Sequence, residues 1–265
     1  MSILYFCPLW GLDQPLPAAI DTILAQGYDG VETLLPPETP PADVRHLMKQ
    51  TGLQLIAQQV LVHTADFAEH QHQMTAELYR LAEYAPVKIN SHTGKDFFSV
   101  EQNLTLLQTA HAISAEINIP VIHETHRSRF SYAAHVCKHY LEHDTDLSLT
   151  ADFSHWCVVA ESLLADQPDA LALAIQRSRH IHARVGHAQG PQVTNPDHAV
   201  WQTATQQHFY WWDQIIAQGE PVTITPEFGP VPYMPLDDHQ QPVTDATQIN
   251  ANLLIQLRQR YAHRE

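Results

Sequence analysis

Two kinds of hydrophobic pattern alternate along the whole chain. Short apolar runs rich in β-branched and aromatic residues read as buried strands, and the longer stretches between them repeat their apolar residues at helical spacing. The first strand is Ile3 to Cys7, stopped by Pro8. Pro17 to Gln26 follows as a helix with Ile20, Ile23 and Leu24 on one face and Gly27 at its end. Gly30 to Leu35 is the second strand, closed by Pro36-Pro37, and Pro41 opens a helix through Met48. Leu53 to Val62 is the third strand, and Asp66 is placed to cap a helix carrying Phe67, Met74, Leu78 and Leu81. Val87 to His92, the polar loop Thr93 to Asp96 and the helical stretch Ser99 to Ile117 make the fourth unit. The fifth is a strand over Pro120 to Ile122 and a helix around Tyr132 to Leu141. Strand six starts at Leu147, with a helix over Pro168 to Arg177, and strand seven is His180 to Val185. After a long polar loop, Val200 to Gln218 is a Trp-rich helix, Val222 to Phe228 is strand eight, and Asp245 to Tyr261 is the closing helix.

Strands that alternate with helices predict a parallel sheet. Eight such units with no linker between them predict a (β/α)8 TIM barrel, a single domain over residues 1–265. Active sites of such barrels lie at the C-terminal ends of the strands. Four successive strands carry an ionisable residue there: Glu124 in PVIHETHR, Asp152 in LSLTADFSH, His182 in RHIHARV and Glu227 in VTITPEFG. A carboxylate at the end of a buried strand is costly unless a positive group meets it. Arg127, Arg129 and Arg184 can be that group, and so can a metal ion. Two Glu, one Asp and one His form an oxygen-rich set suited to one divalent ion: Mn²⁺, Zn²⁺, Co²⁺ or Mg²⁺. Arg184, two residues past His182 on the same strand face, is placed to offset the third negative ligand.

Charge narrows the partners. With 14 Lys plus Arg against 29 Asp plus Glu, the net charge of −15 speaks against nucleic acid. No apolar run reaches membrane-spanning length and no basic stretch precedes the first one, so no membrane partner is expected. Cys7, Cys137 and Cys157 lie far apart, which fits a reducing, cytoplasmic setting. A small molecule is the expected partner, and a homo-oligomer stays open. Around the four strand ends, His155, His187, His126 and His92 are candidates for substrate contact, and Trp10 for the wall of a sugar pocket. Lys95, in His92-Thr93-Gly94-Lys95, suits a substrate hydroxyl or carboxylate, or plain solvation, since the Walker spacing is absent. His180 lies one layer deeper and reads as a hydrogen-bonded core histidine.

At HETHR, ADFSHW, HIHARVGH and TPEFGP the chain resembles the xylose isomerase-like TIM-barrel superfamily, the sugar phosphate isomerase/epimerase group, over essentially its whole length. The resemblance implies that Glu124, Asp152, His182 and Glu227 ring a divalent metal. In the ketose epimerase branch it further implies that Glu124 and Glu227 are a proton-transfer pair on opposite faces of a sugar, and that His155 contacts substrate. Ketose epimerases carry an Arg six residues past the strand-seven ligand; here that position is Ala188, and Arg184 or His187 is left to substitute. The expected activity is therefore isomerisation or epimerisation through a metal-stabilised enediolate. The alternatives on the same scaffold are a keto-sugar or inosose dehydratase or lyase, an endonuclease IV-like phosphodiesterase, and a non-enzymatic sugar-binding barrel.

Overall fold

The computed structural model describes residues 3–12 and 14–264. Eight parallel strands close into a barrel in sequence order, β1 pairing with β8 through Leu4↔Thr223 and Tyr5↔Ile224. The strands are β1 (Leu4–Pro8), β2 (Gly30–Thr33), β3 (Gln54–Gln59), β4 (Lys88–Ser91), β5 (Val121–Glu124), β6 (Leu149–Ala151), β7 (Ser178–Ala183) and β8 (Thr223–Pro226). The helices are α1 (Leu16–Ala25), α2 (Pro41–Thr51), α3 (Phe67–Ala82), α4 (Val100–Ile117), α5 (Ala134–His143), α6 (Phe153–Ala160), α7 (Pro168–Arg177), α8 (Gln202–Ala217) and α9 (Ala246–Tyr261). No helix among the described residues is long and apolar enough to cross a membrane.

Local chemistry accounts for several boundaries. Asp66 caps α3 by accepting from Glu69 N at 2.9 Å, and Ser99 with Gln102 forms a full capping box on α4. Gly52 ends α2 with φ +75°. Two expectations need correction. Strands predicted to run as far as Leu35, Val62, Val185 and Phe228 end earlier, because their last residues are already loop. No helix was expected between strand six and Pro168, yet Phe153–Ala160 form α6, with Asp152 as its N-cap.

The strands separate two environments. Val31, Leu55, Ala57, Ile89, Ile181 and Ile224 face outward into the apolar core under the helices. Their neighbours one position away, including Glu32, Lys88, Asn90, Thr150, His180, His182, Thr223 and Thr225, meet one another inside the barrel through hydrogen bonds. The lumen is therefore polar over much of its height, where branched apolar residues usually dominate. Phe6 helps fill its floor, and Gly30 makes room for it: a Cβ at residue 30 would lie 2.4 Å from Phe6 Cε1 and 2.5 Å from the Gln54 carbonyl. Backbone of the paired strand cannot step aside, so Gly30→Ala is expected to cost about 1–3 kcal/mol in urea unfolding. An unchanged midpoint would mean that the β1–β3 edge is not packed as described.

Candidate metal centre and cavity

Glu124 is the last residue of β5, Asp152 the first past β6, His182 the next-to-last of β7 and Glu227 the first past β8. The pairing of β5, β6, β7 and β8 side by side brings all four to the C-terminal mouth. One ligand atom from each lies within 4.8 Å of the others, and all four residues are buried.

Each acid is answered differently. Glu124 Oε2 accepts from Asn90 Nδ2 and His92 Nε2, both at 2.9 Å. Burial raises its carboxyl, but His92 and His182 outweigh that and hold it well below the usual range. Asp152 accepts from Ser154 Oγ and from Arg184 Nη2. Burial pushes Asp152 up to about 6, with Arg184 opposing and the Glu227 and Glu124 charges adding to the rise. Arg184 Nη2 also lies 3.5 Å from Glu227 Oε2 and 2.8 Å from His155 Nε2.

A fifth residue organises the set and was missed by the sequence reading. Glu32, at the end of β2, is 1% exposed. Its oxygens accept from His180 Nε2 at 2.9 Å, His182 Nε2 at 3.0 Å, Thr225 Oγ1 at 2.5 Å, Gln58 Nε2 at 3.2 Å and Asn90 Nδ2 at 3.3 Å. The usable signal was an acid in the apolar strand Gly30-Val31-Glu32-Thr33, the same pattern that marked Glu124, Asp152 and Glu227. Because His182 spends Nε2 on Glu32, its Nδ1 is turned towards the acids. Nδ1 lies 2.9 Å from Glu227 Oε2 and 3.5 Å from Glu124 Oε2. Among the described residues neither Nδ1 nor Glu227 Oε2 has a hydrogen-bond partner. Burial pulls the His182 imidazole down, but Glu227, Glu32 and Glu124 prevail and hold it well above its ordinary value. A buried imidazole nitrogen able to release its proton and a carboxylate oxygen, facing each other without a hydrogen bond among excess carboxylates, fit a divalent cation, which would take that proton's place.

The other candidates divide into three groups. Trp10, His92, His126 and Arg184 line a cavity of about 490 Å³ that reaches Glu124 and Glu227, and Tyr233 completes its wall. Tyr233, also unread in the sequence, places its ring 4.8 Å from the Arg184 guanidinium. His155 lies behind that wall, fully buried on α6 with its ring 3.9 Å from His126. Burial together with neighbouring His126 and Arg184 keeps it neutral. His187 sits apart, stacked on Trp201 at 4.6 Å in a neighbouring groove. Lys95 lines neither. Of the three arginines offered as partners of the acids, only Arg184 makes that contact. Arg127 lies over Tyr233, and Arg129 reaches the Val62 carbonyl.

The same architecture recurs among solved structures. A xylose isomerase domain containing protein from Salmonella typhimurium superposes with a TM-score of 0.68 at 12% identity, covering 97% of this chain and 98% of that one. The chain has the xylose isomerase-like TIM-barrel fold. An IolI protein solved with a bound zinc atom shares this fold with a TM-score of 0.67 at 12% identity, covering 98% and 99%. An L-ribulose 3-epimerase shares it with a TM-score of 0.64 at 15% identity, covering 100% and 96%. Solved proteins with the xylose isomerase-like fold also include a probable 3-DHS dehydratase and an AP endonuclease, so the fold leaves the reaction open. No family model and no curated protein matches the sequence.

Removing Glu32 would strand several donors in a dry lumen. Glu32→Ala is expected to cost about 3–5 kcal/mol in urea unfolding of chelator-treated protein. A loss below about 1 kcal/mol would show that the five donors find other acceptors without it.

Proposed function

We propose that the protein is a divalent-metal-dependent sugar isomerase or ketose epimerase, with Glu124, Asp152, His182 and Glu227 as ligands and Glu124 and Glu227 as the proton-transfer pair. The observation that carries this reading is the bracketing of His182 Nδ1 by Glu124 and Glu227 at the edge of one cavity. The zinc atom of one protein with this fold and the epimerase activity of another support it by analogy. A divalent ion held there would supply Lewis acidity towards adjacent carbonyl and hydroxyl oxygens of a sugar.

The chain's own groups do the rest. One glutamate takes the proton from the carbon next to the carbonyl and the other returns it from the opposite face, giving epimerisation; return at the neighbouring carbon gives isomerisation. Arg184, held against Asp152 and within 3.5 Å of Glu227, balances the carboxylates and lines the cavity where a substrate hydroxyl can reach it. Neutral His126 donates Nδ1–H to the Arg127 carbonyl at 2.6 Å, which leaves Nε2 as a hydrogen-bond acceptor towards the cavity. Trp10 and Tyr233, with rings 5.2 Å apart, supply the apolar wall for a sugar face. His155 acts from behind by fixing Arg184 and His126.

Elemental mass spectrometry should find a divalent ion in the purified protein, lost in a Glu124→Ala plus Asp152→Ala variant. An unchanged metal content in that variant would remove the ligand assignment. In D₂O, Glu124→Gln and Glu227→Gln should each stop incorporation of solvent deuterium into ketose substrates, a loss of at least about 100-fold, while circular dichroism is unchanged. Full exchange by either variant would sink its role in proton transfer. Loss of water from the product would assign the same pair to elimination instead.

A further inference from the structure

Lys95 and Arg129 are two cationic residues without an ion pair among the described residues. They are 8% and 4% exposed, in a chain whose acids outnumber its bases by 29 to 14. Among the described residues neither has a carboxylate oxygen within 4.0 Å, Asp96 attracting both only from farther off, whereas Arg184, Arg258 and Arg260 each do. The Arg129 guanidinium makes one hydrogen bond, from Nη1 to the Val62 carbonyl at 3.3 Å, and its Nε is buried with no acceptor. The Lys95 ammonium makes no hydrogen bond, although its backbone is fixed. Asn103 accepts from Lys95 N at 3.2 Å and donates to Lys95 O at 2.9 Å, and Gly94, at φ +66°, lies against the same Asn103 with no room for a side chain.

The two cations are neighbours. After burial, the Arg129 charge is what most depresses Lys95, and both act on exposed His63 together with His92. The loops that carry them are joined where Phe130 N donates to the Thr93 carbonyl at 3.3 Å. The group lies beside the reaction cavity: His92 lines that cavity, and Glu124 is the strongest attractive charge on Arg129. Two like charges held side by side, one of them with a buried donor that meets no acceptor, are an unfavourable pairing that Asp96 attracts only from a distance. An arrangement this costly is relieved if the counter-charge arrives from outside.

We propose that Lys95, Arg129 and His63 form a receptor for an oxyanion group, phosphate or carboxylate, at the far end of the molecule whose reacting carbon sits at Glu124 and Glu227. Arg supplies a planar fork of donors and Lys a compact charge, a combination suited to an oxyanion. This rests on the isomerase or epimerase reading for what lies at the near end only. The substrate class becomes a sugar phosphate or a sugar acid rather than a neutral sugar.

Titration calorimetry of the purified protein with inorganic phosphate and, separately, with glycerate tests it at constant ionic strength set with chloride. Saturable binding of one anion per chain is expected, weakened roughly 10- to 100-fold in Lys95→Gln and in Arg129→Gln and unchanged in Lys138→Gln. Lys95→Arg keeps the charge and should keep most of the binding, which separates loss of the receptor from loss of the fold. Preference for phosphate or for glycerate identifies the oxyanion. Absence of binding to both anions, or equal binding by wild type and the two Gln variants, overturns the receptor. The titration is repeated after chelation: binding that survives there and still needs Lys95 and Arg129 upholds the receptor even if the deuterium-exchange role of Glu124 and Glu227 fails. Binding that disappears with the metal and ignores both residues places the anion at the metal centre and overturns it.

Discussion

The crowding of carboxylates inside the barrel is the constraint on which the rest of the structure depends. Glu32, Glu124, Asp152 and Glu227 share a lumen with little access to water, and an ionised carboxylate there must be met by donors or cations. Each is met in its own way. Glu32 takes five donors, Glu124 takes Asn90 and His92, and Asp152 takes Arg184 and Ser154. Glu227 Oε2 has close neighbours but no hydrogen bond, and it faces the equally unpaired Nδ1 of His182. The shortfall sits where the cavity opens, which is where the proposed cation would be held.

This polar lumen is tolerable because stability is gathered elsewhere. Outward-facing strand residues pack with the inner faces of the helices into one continuous apolar layer. Burial there, at about 25 cal/mol per Å², lets the inner face of each strand carry function instead of packing. Glu32 links the two roles. It is a structural acceptor for His180, and through His182 Nε2 it decides which imidazole nitrogen looks into the mouth.

The rim is electrically divided. Acids gather over β5 to β8, and unpaired bases gather in the loops after β3, β4 and β5. His92 stands at the border, donating to Glu124 on one side and acting on His63 on the other. Such a division would orient a polar molecule entering the cavity, since its ends would meet opposite fields.

Much of this was legible in the chain. Strand alternation and helical spacing are local, so eight strands, their order and the three acids and one histidine at four strand ends could be read directly. Helix α6 was hidden because Phe153 to Cys157 continues an apolar run, and only the Asp152 cap marks its start. Glu32 carried the same signal as Glu124 but stood apart from the other acids in sequence. Its meaning comes from partners 148, 150 and 193 positions away. The sequence placed Arg184 on the His182 face to offset the acids but left Arg127 and Arg129 open as partners too, and did not say which acid each would meet. Closure of the barrel and the paths of its loops gave Asp152 Arg184, and left Arg129 and Lys95 with no carboxylate oxygen within 4.0 Å among the described residues. The residues on each strand face follow from local geometry; which charges meet depends on distances that exist only once the barrel is closed.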